Sequence, residues 1–249
     1  MRARALLAAL LVGGSACGGT DPTDATTPLT VFAAASLTEA FTQIAADYEG
    51  LHDVDVRLSF GPSDGLATQI QEGAPADVFA SASPKWMDAV AEDPGVTDRA
   101  DFARNVLVVI VPAGNPAGLG SVADLANTGV KLVLAAEGVP VGDYAREMLA
   151  DAGIADAALA NVVSNEDDVK GVVQKVSLGE ADAGIVYRTD VTSSVANDLE
   201  VIDVPDDVNV VAVYPIAALA GASDSAPAFV AYVLGPGQET LQAAGFLPP

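Results

Sequence analysis

Cysteine and histidine occur once each in the 249 residues, at Cys17 and His52. One cysteine permits no intrachain disulfide and no cysteine metal cluster. His52 lies in the polar stretch EGLHDVD, between a helical pattern and a strand pattern, where a surface side chain is expected rather than a catalytic one. Basic residues are also few: 11 Lys and Arg stand against 34 Asp and Glu, for a formal net charge of -23. That balance repels nucleic-acid phosphates and anionic membrane surfaces, so neither is expected as a partner. The acidic excess itself reads as a solvated surface. No Walker loop or G-x-G-x-x-G occurs, which removes the commonest nucleotidase and dinucleotide readings. No repeat of 20–50 residues is visible, so a solenoid or propeller is not expected.

What the chain does have is apolar content: 51% of residues are hydrophobic, ample for a sizeable core, and the length suits one or two domains. Arg2 and Arg4 precede the apolar run ALLAALLV (5–12), which is far shorter than the roughly 20 residues a membrane span needs. Small residues then lead to Cys17. The pattern resembles a bacterial lipoprotein signal, with Gly14 where such signals usually carry leucine. It implies a signal peptide over 1–16, lipid on Cys17, and membrane attachment through that lipid only. Residues 18–28 (GGTDPTDATTP) have the composition of a tether.

Beyond the tether, apolar strand patterns alternate with helical ones. LTVFAA (29–34), DVRLSF (55–60), DVFASA (77–82), NVLVVIVP (105–112), VKLVLAA (130–136), DAGIVY (182–187), LEVIDVP (199–205) and VNVVAVYPIAALA (208–220) read as strands. Helices are expected over 36–50, 66–73, from Pro84, 121–127, 143–153, 168–180, and twice near the C-terminus. The alternation predicts an α/β fold with mixed, mainly parallel sheets and helices on both faces. No floppy linker divides it. Two lobes would therefore have to be joined by strands, and the long runs 105–112 and 208–220 are the candidates.

One local geometry recurs: a strand or loop, a small or polar residue, then a helix start. Ser36-Leu37-Thr38-Glu39 reads as a capping box. Gly61 to Gly65, Gly138 to Gly142, and Asn165 to Asp168 precede further helices. A helix N-terminus carries unpaired N–H groups and partial positive charge, so several converging on one cavity could bind an anion without Lys or Arg. Any one cap is more simply a structural device. Glu166, Asp167 and Asp168 could ligate a hard cation, but enriching the first helical turn is the simpler reading.

Taken in order, VFAAASLTEAF, SFGPSDGLATQIQEGAPADVFASASPKWMDAV, GVPVGDYAREML, DDVKGVV and AGIVYRTD resemble the substrate-binding protein of the molybdate ABC transporter, across essentially residues 29–249. The resemblance implies a two-lobed periplasmic-binding-protein type II fold. One lobe would hold 29–106 and about 213–249, the other about 107–212, with an oxyanion cleft between them. It implies molybdate or tungstate as ligand, with molybdenum present only as the bound oxyanion, and no cofactor. A permease with its ATPase is the implied partner, and the chain is expected to be a monomeric extracytoplasmic protein and not an enzyme. By resemblance, Ser36 gives a hydroxyl and N–H, Val141 and Val169 give backbone N–H groups, and Tyr187 gives its phenol.

One position departs from the family. Its second serine aligns with Asp64, and Ser63 falls on the residue before. Asp64 could turn outward and give only its N–H, Ser63 could supply the hydroxyl, or Asp64 could be protonated and donate. The Ser63 hydroxyl with the Asp64 or Gly65 backbone is the favoured arrangement, because a carboxylate facing a dianion is repulsive. Three alternatives stand beside this reading. They are a sulfate, phosphate or ferric-anion binder, a hydrolase with an acidic dyad of Asp64 with Glu166 or Asp167, and a surface antigen or scaffold with a degenerate cleft.

Overall fold

The computed structural model describes residues 28–249. The leader, Cys17 and tether residues 18–27 lie outside the described residues. The chain opens with β1 (Pro28–Ala34), whose last four residues are all buried, then a short 3-10 turn at Ala35–Leu37 and α1 (Thr38–Glu49). α1 turns Phe41, Ile44 and Tyr48 inward, the i, i+3, i+7 stripe of an amphipathic helix. There follow β2 (Asp55–Gly61), α2 (Ser63–Gln71), β3 (Val78–Ala80) and α3 (Pro84–Glu92). Ser83 caps α3 by accepting from Lys85 N–H, and Pro84 sits in its first turn.

Next comes β4 (Val96–Pro112), then β5 (Leu132–Ala135), α4 (Pro140–Asp151), α5 (Ala155–Leu159), β6 (Val162–Glu166), α6 (Val169–Ser177), β7 (Ala183–Tyr187), β8 (Leu199–Asp203), β9 (Val211–Leu219), α7 (Ala226–Leu234) and α8 (Gly237–Ala243). The strands run in the order β2-β1-β3-β9-β4-β7-β5-β6, with β8 also on β4. The sheet is mixed: outer pairs β1–β2, β1–β3, β5–β6 and β5–β7 are parallel, and every pairing of β4 or β9 is antiparallel.

β4 changes partners along its length. Val96 to Val106 pair with β9, whereas Leu107 onward pairs with β7 on one side and β8 on the other. At the change, the Asn209 side chain takes over the role of a strand neighbour. Its Oδ1 accepts from Leu107 N–H and its Nδ2 donates to Leu107 C=O, both at 3.0 Å. A file of edge-to-face aromatic contacts runs from Tyr48 through Phe229, Phe41, Phe102 and Tyr214 to Tyr187 along the core.

Several expectations need correction. β4 begins at Val96 rather than 105, because the polar stretch TDRADFAR is held by β9 despite its hydrophilic pattern. α2 begins at Ser63, not 66, and α4 at Pro140, not 143, so the expected loops before them are first helical turns. α5 and β6 were not expected; both are short, and β6 alternates only partly buried residues. The capping box at Ser36 does not form: neither the 3-10 turn nor α1 has a side-chain cap, and Glu39 pairs with Lys170 instead. Among the described residues no helix is long and apolar enough to cross a membrane.

Candidate anion-binding site

Four helix starts and the ends of β1, β2 and β7 meet around one small cavity. One wall is the end of β1 with Ala35 and Ser36, the β2–α2 junction at Gly61 to Ser63, and Ala82. The facing wall is the α4 start at Val139 to Val141, the α6 start at Asp168 and Val169, and Tyr187 at the end of β7.

The helix starts are open at their donor ends. The 3-10 turn, α2 and α4 follow Ala34, Pro62 and Val139, none of which makes a side-chain cap. At α6 the Asp168 carboxylate accepts from Gly171 N–H at 3.0 Å, which leaves the first N–H groups of that helix free of it. Uncapped helix starts around a cavity leave N–H dipoles available to whatever occupies it. No Lys, Arg or His lines the cavity; its one ionisable carboxylate, on Asp168, is the capping group just described.

Two close approaches shape the facing wall. A Cβ on Gly142 would stand 2.2 Å from the Ala136 carbonyl oxygen and 2.5 Å from that of Ala135, so only glycine lets α4 sit against the end of β5. Arg146 ties the same place by donating to the Ala135 and Gly142 carbonyls at 2.9 and 2.7 Å. On the first wall, Ser63 is buried and its Oγ accepts from Ala82 N–H at 3.0 Å. Since a hydroxyl has one proton, that bond leaves the Ser63 proton available to the cavity. Ser36 Oγ and Tyr214 Oη are 3.0 Å apart. Tyr187 is 1% exposed, and its hydroxyl is buried with no hydrogen-bond partner. Burial holds the Tyr187 phenol well above its usual range, so it stays protonated and able to donate.

Of the residues singled out in the sequence, Ser36, Ser63, Val141, Val169 and Tyr187 line the cavity together. Asp64 is not among the lining residues. Successive residues of a helix diverge by about 100° around its axis, so with Ser63 facing the cavity Asp64 cannot. Its Oδ2 lies 3.8 Å from where a Cβ on Gly138 would be, and its Oδ1 is buried without a hydrogen-bond partner. The acidic dyad finds no support. Glu166 is bound to Lys175 at 2.8 Å and to Ser164, which holds its carboxyl below the usual range against the opposing effect of burial. Among the described residues no group of three or more His, Cys, Asp or Glu could hold a metal ion. His52 is exposed and stacks on Tyr48.

Polar contacts straddle the cavity on both flanks. Lys170 of α6 donates to both carboxylate oxygens of Glu39 on α1, at 2.9 and 3.0 Å, and lies 3.5 Å from the buried Asp190. Burial raises the Asp190 carboxyl to about 7 against the opposing pull of Lys170. On the other flank Lys85 of α3 meets Asp143 of α4 at 3.1 Å, and Trp86 Nε1 donates to the Gly138 carbonyl at 2.8 Å.

Sequence reasoning missed Tyr214, Asp190 and Gly142. A tyrosine inside the apolar run VNVVAVYPIAALA announces a buried hydroxyl that needs a partner, but nothing local says which.

Helix starts and hydroxyls around one cavity, on a mixed sheet whose central strands change partners, define a solute receptor of the periplasmic-binding-protein type. The chain belongs to the bacterial extracellular solute-binding protein family, whose sequence model matches residues 29–247. It is 40% identical to the molybdate-binding protein ModA of Mycobacterium tuberculosis, over 98% of this chain and 97% of that one. It is 36% identical to ModA of Escherichia coli over 84% of each. The fold matches the periplasmic molybdate-binding protein of Azotobacter vinelandii with a TM-score of 0.76, covering 89% of this chain and 99% of that one at 23% identity.

Proposed function

We propose that this protein captures molybdate or tungstate outside the cytoplasm and delivers it to an ABC permease driven by a cytoplasmic ATPase. The observation that carries the reading is the convergence of uncapped helix starts, two serine hydroxyls and the unpartnered Tyr187 phenol on one cavity free of lysine and arginine. Ser36 and Ser63 give hydroxyls from one wall. Val141, Val169 and the first turn of α2 give N–H groups, and Tyr187 closes the set from the facing wall. Asp64 contributes through its backbone, not its carboxylate.

Neutral donors stabilise a dianion without a full ion pair, so the anion is held and can still be released. The donors are fixed by helix starts and by Gly142, and a cavity of fixed size selects by anion size, favouring molybdate and tungstate over sulfate. The protein turns over no substrate and needs no cofactor; molybdenum is cargo.

The two walls belong to two lobes, 29–106 with about 213–249 and about 107–212, that meet at the partner change in β4. Supporting this division, the contacts Lys170–Glu39, Lys85–Asp143 and Trp86–Gly138 each join an element of one lobe to one of the other. They act as a clasp that is made only when the lobes close. Exposed ion pairs are each worth at most about 1 kcal/mol, so the clasp tunes closure and does not lock it. The mature chain is a monomer tethered by lipid on Cys17.

Calorimetric titration with sodium molybdate, compared with sodium sulfate, tests the reading. One-to-one molybdate binding is expected, with sulfate weaker by roughly a hundredfold. A folded, ligand-free protein that takes up neither anion would contradict it. Mass spectrometry of the membrane-associated protein tests the anchor, with a diacylglycerol-modified Cys17 as the expected N-terminus.

A further inference from the structure

Ser36 and Ser63 stand on the same wall, each with a single proton to give, but their oxygens are held by different means. Ser63 Oγ is fixed as an acceptor by the Ala82 backbone N–H. Ser36 Oγ has no backbone donor; its side-chain partner is the hydroxyl of Tyr214, 178 residues away in sequence. Both groups are buried, Ser36 at 4% exposure and Tyr214 at 0%.

A pair of hydroxyls can be arranged in two senses. If Ser36 donates to Tyr214, its proton is consumed and its lone pairs face the cavity, where they repel an anion. If Tyr214 donates, the Ser36 proton is free to enter the cavity. A bound oxyanion with only acceptor oxygens stabilises the second sense.

Tyr214 is well placed to impose it. It lies in β9, paired with Ala103 of β4, so its backbone is held in the middle of the sheet. Its ring is packed edge-on against Phe102, Tyr187 and Phe246, with centroids 6.2, 5.7 and 5.5 Å away. Burial raises the phenol well above its usual range, so it keeps its proton throughout the physiological span.

Resting on the anion reading of the cavity, we propose that Tyr214 is a positioning residue: its hydroxyl donates to Ser36 Oγ and so turns the Ser36 proton toward the ligand. Tyr214 performs for Ser36 what the Ala82 N–H performs for Ser63. It touches no ligand itself, and its proposed effect on binding passes through the Ser36 oxygen.

The test is a double-mutant cycle read by calorimetry with sodium molybdate on the full chain: wild type, Ser36→Ala, Tyr214→Phe and the double variant. Tyr214→Phe keeps the ring and its packing and removes one atom. Ser36→Ala is expected to weaken binding by about thirtyfold and Tyr214→Phe by about tenfold, while adding Tyr214→Phe to Ser36→Ala costs less than about twofold. Loss of binding in Tyr214→Phe alone, with no further loss in the Ser36→Ala background, is the signature that a merely structural role would not give. An equal loss in both backgrounds, or no loss in either, overturns the inference while Ser36 stands as a ligand. Unchanged affinity in Ser36→Ala overturns the ligand reading of Ser36, and the inference with it. Melting temperatures of the four ligand-free proteins accompany the titrations, so that a folding defect is seen separately from a binding one.

Discussion

One wall of the cavity presents serine hydroxyls, at Ser36 and Ser63, and the other presents Val141 and Val169, whose side chains carry no polar atom. On the first wall side-chain hydroxyls join the backbone of the α2 start, and each hydroxyl has a neighbour: the Ala82 N–H beside Ser63 and the Tyr214 hydroxyl beside Ser36. On the proposed reading the second wall gives backbone N–H groups at the starts of α4 and α6, set by where those helices begin, together with the Tyr187 phenol. What must be exact there is helix placement, which is why Gly142 and Arg146 pin α4 to the end of β5. The first wall should therefore be sensitive to changes of residue type at the ligand positions. The second should tolerate them and fail when its helices move.

Gly142→Ala should have the largest effect, because its methyl would meet two backbone carbonyls that cannot retreat cheaply. Molybdate affinity is expected to fall by more than about a hundredfold and the melting temperature by roughly 5–10 °C. Near-normal binding in calorimetry would mean that the second wall does not depend on the seat of α4. Ser63→Ala should follow, with affinity lowered about thirtyfold. Tyr187→Phe removes the one hydroxyl of the facing wall and should cost about tenfold by the same titration. By contrast, Val141→Ala and Val169→Ala should keep affinity within about threefold while each loses about 1–3 kcal/mol of stability in denaturant unfolding, since both side chains are buried. If either valine variant lost binding as a serine variant does, the distinction between the walls would collapse.

The smallest effect is expected between the walls, at Asp190, which sits beside the Lys170 that reaches across to Glu39. Its folded-state carboxyl is raised to about 7 by burial, so the folded protein holds that proton more tightly than the unfolded chain does. Stability is therefore lost as pH rises from the ordinary carboxylate range through about 7, and Asp190→Asn should raise the melting temperature by about 2–6 °C near pH 8 and by less near pH 5. An equal change at both pH values would show that the Asp190 carboxyl does not change charge in that window.

Much of this contrast could be read in the sequence, and the exceptions follow a physical pattern. The alternating strands and helices were legible because apolar periodicity is local. So was Ser36 at a strand-to-helix break, although its hydroxyl pairs with that of Tyr214 and does not cap a helix. The start of β4 was not legible, since TDRADFAR looks like loop until β9 is laid beside it. Nor were the helix starts at Ser63 and Pro140, although Gly61-Pro62 and Val139-Pro140 are the kind of breaker that precedes a first turn. Val141 and Val169 could not be found from residue type at all, because the role proposed for them rests on main-chain atoms. They emerged only through resemblance to a family. Tyr214 lay beyond both routes: its partner is 178 residues away, and only the folded sheet brings them together.

The formal charge of -23 adds a kinetic counterpart. Long-range repulsion of a dianion is screened beyond about 8 Å at physiological ionic strength, so capture measured by stopped flow should quicken as salt rises from very low values. Slower capture with added salt would argue for a basic approach path that the cavity lining does not contain.

The proposed set of neutral donors from both walls should produce a ranking of anions that no single variant can. The most direct measurement is calorimetry on the unmodified protein with molybdate, tungstate, sulfate and phosphate in turn. One-to-one binding of molybdate and tungstate, with sulfate and phosphate weaker by roughly a hundredfold or more, is the expected result. Sulfate or phosphate binding as tightly as molybdate, or no binding of molybdate by folded protein, would contradict it.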